Sequence, residues 1–127
     1  MRHSDEAIRD VFDSDILVIG APMYNFSLPS ALKAWIDHIV RAGKTFSYSE
    51  KGVAALVNGK KVYLVIASGG VFSEGPMKEH DFVEPYLRYI LGFIGLTDIT
   101  TIRVEGLAIP GLKDGALEKA IAGIHLN

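Results

Sequence analysis

The sequence contains no cysteine and no long hydrophobic run. The absence of cysteine among 127 residues excludes a disulfide framework, a thiolate nucleophile and a zinc–cysteine site. No apolar segment approaches the ~20 residues that span a bilayer, so we expect no membrane association and, given the missing cysteine, a cytoplasmic protein. The net charge of −2 provides no electrostatic basis for binding nucleic acid or anionic lipid.

The residue patterns of metal sites and hydrolase nucleophiles are also missing. The histidines are scattered without ligand spacing, at His3, His38, His80 and His125, so we expect no metal site. Ser68 lacks the G-x-S-x-G context of a hydrolase nucleophile. Neither a Walker-type nor a G-x-G-x-x-G phosphate loop occurs. We expect no catalytic side chain.

Hydrophobic periodicity alternates between helix and strand along the chain. We predict helices at 4–13, from Pro29 to near Gly43, at roughly 81–95 and at 113–125, and strands at 16–20, 61–67 and 98–105. This order is typical of a doubly wound α/β fold, a parallel sheet with helices on both faces. The sequence thus predicts one domain over residues 1–127, with about three core strands against the ~5–6 of an average sheet.

Several local features refine this prediction. Ser4 is a candidate cap for the first helix, and Gly92 and Gly95 mark the end of the third. The uninterrupted apolar strand 16–20 is typical of a strand buried on both faces. Residues 44–60 read as irregular, with Phe46 and Tyr48 alternating like a short extended arm. The charged stretch from Glu74 to Asp81 reads as a solvated loop and helix start.

Two loops follow the first two strands at their carboxyl ends, where ligands of parallel α/β sheets collect. The aromatic loop consists of Pro22, Met23, Tyr24, Asn25 and Phe26, and the glycine loop of Ser68, Gly69 and Gly70. Two aromatics and one amide would suit a flat ligand such as a flavin ring. On pattern alone, aromatic residues after a strand more often pack in the core than contact a ligand. The sequence Ser-Gly-Gly is common in turns without any ligand.

Four segments carry a family resemblance. They are APMYNF at 21–26, LKAWID at 32–37, RAGKTF at 41–46 and LGFIGL at 91–96. Together they resemble the FMN-dependent NADH:azoreductases, a family of quinone and azo-dye reductases that has also carried the label acyl carrier protein phosphodiesterase. The resemblance implies a flavodoxin-like fold, FMN as cofactor and NADH as electron donor, with hydride passing from NADH to the flavin and then to an azo or quinone acceptor.

The resemblance also implies roles for individual residues. The aromatic loop would wrap the flavin ring with its backbone and with Asn25, and the glycine loop would contact the ring from the next strand. The family commonly has a further residue, often arginine, between this serine and the glycines. Phe46 and Tyr48 would line the substrate pocket across the interface of a homodimer.

The amino end departs from the family pattern. Family members begin with a strand and a serine-rich loop that holds the FMN phosphate, and nothing here resembles that loop. We expect this chain to correspond to the carboxyl-terminal portion of the fold, without the first βαβ portion and with weakened FMN binding. Strand 16–20 would then be a bare apolar edge through which two copies pair or aggregate.

Two other functions compete with the reductase. One is a flavin-incompetent remnant or interaction module, which keeps the dimer surface but lacks the phosphate loop. The other is the phosphodiesterase, for which the sequence offers neither metal ligands nor a nucleophile.

Overall fold

The computed structural model describes residues 2–124. In chain order its elements are α1 Arg2–Asp13, β1 Ile16–Pro22, α2 Ser30–Ile39, β2 Phe46–Ser49, β3 Gly52–Ala55, β4 Lys61–Ala67, the 3-10 turn Lys78–His80, α3 Glu84–Ile94, β5 Asp98–Val104 and α4 Lys113–Ala122. The predicted parallel sheet is confirmed, with strand order β1-β4-β5, and β2 pairs with β3 in a separate antiparallel hairpin. Residue 125, the last of the predicted fourth helix, lies outside the described residues.

The core lies between one face of the sheet and the first three helices. On the central strand β4, Val62, Leu64 and Ile66 alternate along the chain and are fully buried, because every second residue points to the same face. Parallel register sets Ile19 of β1 beside Leu64. The helices complete the cluster with Ile8, Val11, Ile36, Ile39, Leu87, Leu91 and Ile94.

Strand β1 is buried on only one face, so the prediction of burial on both faces is wrong. Ile19 and Ala21 are buried, whereas Ile16 and Val18 are 60% and 70% exposed. The core-forming helices α1 and α2 pack against each other, and α4 contacts β5 at the other end of the sheet. The second face of β1 therefore remains an apolar surface.

The predicted cap of the first helix is wrong, whereas the predicted end of the third helix is confirmed at Gly95 but not at Gly92. Ser4 lies inside α1 and does not cap it; its buried hydroxyl donates to the carbonyl of His38 at 2.6 Å, which ties α1 to the end of α2. Gly92 lies within α3, and Gly95 alone ends it, with φ of 110°. A Cβ at Gly95 would lie 1.7 Å from the carbonyl oxygen of Val57, so only glycine fits there.

The segment predicted as irregular contains the β2–β3 hairpin. α2 ends at Ile39, before the predicted end near Gly43, and the chain enters the hairpin after a turn in which Gly43 has φ of 81°. The Val57 amide donates to the carbonyl of Ile94 at 2.9 Å. Since α3 ends there, just before β5 begins, the hairpin lies near the amino ends of the sheet strands.

Candidate functional site

The pairing of β1 with β4 brings the two candidate loops together. The strands pair in parallel from Ile16 opposite Lys61 to Pro22 opposite Ala67, so they end at the same level of the sheet. The amide of Met23 extends the ladder by donating to the carbonyl of Ala67 at 2.7 Å. The aromatic and glycine loops therefore leave the sheet side by side.

The aromatic loop closes in a tight turn with unusual backbone angles. Tyr24 and Ser27 exchange two hydrogen bonds of 2.9 Å, and the central residues Asn25 and Phe26 have φ of 50° and 68°. Positive φ at both central residues is the type I′ pattern, which favours Asn-Gly. A phenylalanine there is strained, and such strain concentrates at functional sites. Tyr24 and Phe26 are 62% and 48% exposed.

The glycine loop is held by the chain after β5. The amides of Gly106, Leu107 and Ala108 donate to the carbonyls of Gly70, Ser68 and Gly69 at 3.0, 3.2 and 2.9 Å. The buried Ser68 hydroxyl donates back to the Gly70 carbonyl at 2.9 Å. The carbonyls of Gly69 and Gly70 are thus occupied, whereas their amide hydrogens have no backbone partner among residues 2–124.

Both glycines are also closely packed, so a larger residue would displace a neighbouring side chain. A Cβ at Gly69 would lie 3.1 Å from the Ala108 Cβ, and a Cβ at Gly70 would lie 3.1 Å from Cε2 of Phe72. Free amides beside exposed aromatic rings can bind the carbonyl edge and the face of a flat heterocycle. The ring portion of a flavin fits this arrangement.

A small apolar cavity adjoins the aromatic loop. It measures about 250 Å³ and is lined by Phe26, Met77, His80 and Phe82. Phe72 meets Phe26 edge to face, with ring centroids 6.1 Å apart. Sequence reasoning missed Phe72, Met77 and Phe82, because their only signal is an aromatic or thioether side chain in a loop.

An ion cluster anchors the start of α3. The predicted solvated stretch is exposed over residues 74–80, and the prediction is wrong only at Asp81. Asp81 is buried and accepts from the amides of Val83 and Glu84. Arg103 of β5 reaches Asp81 at 2.5 Å and Glu84 at 2.8 Å. Burial alone would raise the pKa of Glu84, but hydrogen bonds from Thr101, Arg103 and Arg88 lower that pKa below its ordinary value.

A second, larger groove lies on the α4 side of the sheet. It has a volume of about 670 Å³, runs between β5 and α4, and has Glu74, Glu84, Arg103, Glu105 and Lys119 among its lining residues. Its mixed charges and its position away from the aromatic loop do not suit a flat apolar ligand. The smaller cavity beside Phe26 is the better candidate.

The two predicted substrate-pocket residues lie elsewhere in the fold. Phe46 is buried and packs against Phe93 at 4.9 Å and Tyr48 at 5.2 Å between ring centroids. Tyr48 is exposed on the hairpin. Because the hairpin lies near the amino ends of the strands, one chain does not bring these residues to its own aromatic loop. Their role across a dimer interface stays a prediction. Since Phe46 is buried, the residue that would contact the second copy is Tyr48.

Comparison with known proteins identifies the family. The family model described as "Flavodoxin-like fold" matches residues 2–126. The chain belongs to the flavodoxin-like fold family. Among curated members, the FMN-dependent NADH:quinone oxidoreductase of Herminiimonas arsenicoxydans is 60% identical over 106 residues, covering 84% of this chain and 52% of that protein. The corresponding oxidoreductase of Beijerinckia indica is 54% identical over 119 residues, covering 94% and 59%.

Solved structures of azoreductases are also similar to this chain. An azoreductase from Bacillus anthracis aligns with a TM-score of 0.84 at 36% identity, over 96% of this chain and 58% of its own. An FMN-dependent NADH-azoreductase from the same species, solved in complex with FMN, gives a TM-score of 0.87 at 27% identity, over 95% and 58%. The resemblance to these reductases is confirmed. The chain spans about half the length of the curated relatives it matches.

Two further observations concern the described residues alone. Within residues 2–124, no three or more acidic or histidine side chains are grouped so as to hold a metal ion. In the same part of the chain, no helix has the length and apolar character needed to cross a membrane.

The strained turn predicts an unusual order of stability at Phe26. At ordinary φ, alanine is more stable than glycine, but at φ of 68° the order should reverse. We expect Phe26→Gly to be more stable than Phe26→Ala by about 1 kcal/mol, measured by urea unfolding. Both variants lose the same ring, so the comparison isolates the backbone. An alanine variant as stable as the glycine variant would contradict the left-handed conformation.

Proposed function

We propose that this chain provides the flavin-ring site of an FMN-dependent NADH:quinone oxidoreductase. The observation that carries the proposal is the juxtaposition of the aromatic loop, with its exposed rings, and the glycine loop, with its free amides, at the carboxyl edge of one sheet. Curated relatives at 45–60% identity carry this name. They favour the reductase over a flavin-incompetent interaction module and over the phosphodiesterase.

The chain's own residues would bind and orient the cofactor. The aromatic loop would contact the ring through its backbone and through the exposed Asn25 amide, which can both donate and accept. The amides of Gly69 and Gly70 would donate to the polar edge of the ring. When bound, FMN would supply the hydride chemistry between NADH and the acceptor. No protein acid or base is required, in agreement with the absence of a predicted catalytic side chain.

The acceptor would be a flat quinone or azo compound. The cavity beside Phe26 is almost entirely apolar, and Met77 and Phe82 are partly exposed at its wall. Such a pocket selects ligands by their shape and aromatic surface more than by their functional groups. Phe46 and Tyr48 remain proposed as a contribution from the second copy of the chain.

A titration with a ring-only flavin tests the proposal. Lumiflavin, which has the flavin ring without the phosphate, should lose fluorescence on saturable binding to the full chain, and FMN should support NADH oxidation with a quinone. Asn25→Gly keeps the turn and removes the amide, so affinity should fall about tenfold. Asn58→Gly, at another exposed asparagine, should bind as the wild type does. Absence of quenching by the wild-type chain would refute the ring site.

We propose in addition that two copies pair through β1. Within residues 2–124, β1 and β5 are the edges of the sheet. β5 carries Asp98, Thr100 and Arg103, whereas every residue of β1 is apolar. Charged side chains protect sheet edges from pairing, and uncharged apolar edges invite it. A two-fold axis would set the two β1 strands antiparallel.

Light scattering tests this pairing. The wild-type chain should be dimeric at micromolar concentration, and Val18→Lys should make it monomeric by placing a charge on the exposed face. Tyr89 is as exposed as Val18, at 72%, but lies on α3, so Tyr89→Lys should remain dimeric. A monomeric wild type would contradict pairing through β1.

A cytoplasmic location is part of the same proposal. It is supported by the absence of cysteine and by the proposed use of NADH, a cytoplasmic reductant. Cell fractionation should recover the chain in the cytosol, and recovery with membranes would contradict it.

A further inference from the structure

Glu105, the first residue after β5, holds the segment that follows the glycine loop. Its carboxylate accepts from the amides of Phe72 at 3.2 Å and Ser73 at 3.3 Å, and from the Ser73 hydroxyl. The side chain is only 16% exposed. Hydrogen bonds to an ionised carboxylate are about twice as strong as neutral ones. One side chain thus fixes two consecutive peptide groups and a hydroxyl.

Phe72 connects this carboxylate to both candidate loops. Phe72 is only 6% exposed. It packs edge to face on Phe26 of the aromatic loop and lies against Gly70 so closely that a Cβ there would be 3.1 Å from it. Any shift of the Phe72 backbone would therefore change the spacing between the two loops, which a flat ring must match.

The segment has few other attachments. Among residues 2–124, the amides of Val71, Phe72, Ser73 and Glu74 make no backbone hydrogen bond, although the preceding glycine loop is paired with 106–108. Arg103 lies 3.9 Å from the Glu105 carboxylate and directs its hydrogen bonds to Asp81 and Glu84. Arg103 therefore offsets the charge of Glu105 while leaving its oxygens to the loop.

We propose that Glu105 is a positioning residue of the flavin-ring site, setting the distance between the two loops through Phe72. This inference rests on the proposed function. Glu105 touches neither the aromatic loop nor the free amides of the glycine loop, so its effect on a ligand is indirect. Substitution of Glu105 should change the affinity for the ligand and the environment of the bound ring without removing any ligand contact.

The matched variants are Glu105→Ala, Glu105→Gln and Glu84→Ala. Glutamine keeps an acceptor oxygen for the Phe72 and Ser73 amides. Glu84 bonds to the same Arg103 and to Arg88 but makes no contact with the loop, so its variant measures the general cost of disturbing the ion cluster. Two readouts are used on the full chain: amide hydrogen exchange at Phe72 and Ser73, and lumiflavin affinity with the visible spectrum of the bound ring.

We expect Glu105→Ala to speed exchange at both amides and to weaken lumiflavin binding, each by about tenfold, with a shifted flavin spectrum. Glu105→Gln should recover both to within about threefold of wild type. Glu84→Ala should lower stability to urea but leave exchange and affinity within about twofold of wild type.

Unchanged exchange in Glu105→Ala, or equal losses in Glu84→Ala, would overturn the inference. The outcome is separable from the proposed function. If the wild-type chain binds no lumiflavin, the proposed function fails, whereas exchange at Phe72 and Ser73 still decides whether Glu105 holds the loop.

Discussion

The parallel pairing of β1 with β4 is the constraint on which the candidate site depends. The two strands run in register for seven residues, and the pairing continues into the aromatic loop through the Met23 amide. A shift of β1 by one residue would turn Ile19 out of the core and would also offset the ends of the two strands. The burial that stabilises the sheet therefore also fixes the level at which the two loops emerge.

The site combines a stable sheet with local elements that oppose stability. Asn25 and Phe26 adopt left-handed backbone angles, and the guanidinium nitrogen Nη1 of Arg103 is buried without a hydrogen-bond partner among the described residues. Each costs free energy. The cost is offset by a buried core and by hydrogen bonds from 106–108 to the glycine loop. This edge of the sheet presents exposed aromatic residues together with glycine amides that have no backbone partner among residues 2–124.

Elements set by strong periodicity were predictable from the sequence. β4 was predicted to the residue, and both candidate loops followed from the ends of apolar strands. Features set by distant contacts were not predictable. Ser4 looks like a helix cap in the sequence because its partner, the His38 carbonyl, is distant along the chain. The single exposed face of β1 could not be derived from an apolar run, which specifies hydrophobicity but not what covers it.

The polar supports of the site were also hidden from sequence reasoning. Glu105 looks like a surface carboxylate after a strand, and only the fold brings the amides of Phe72 and Ser73 to it. The motif of the aromatic loop was one of four segments that indicated the family, but the strain at Phe26 appears only in the backbone angles.

The most direct test of the central claim is whether one flat ring touches both loops at once. In an amide-resolved NMR titration of the full chain with lumiflavin, the amide resonances of Asn25, Phe26, Gly69 and Gly70 should shift together along one binding curve. Exposed residues of α1, such as Asp10, should remain unchanged at low ligand ratios. Shifts confined to one loop, or separate binding curves for the two loops, would contradict a shared flavin-ring site.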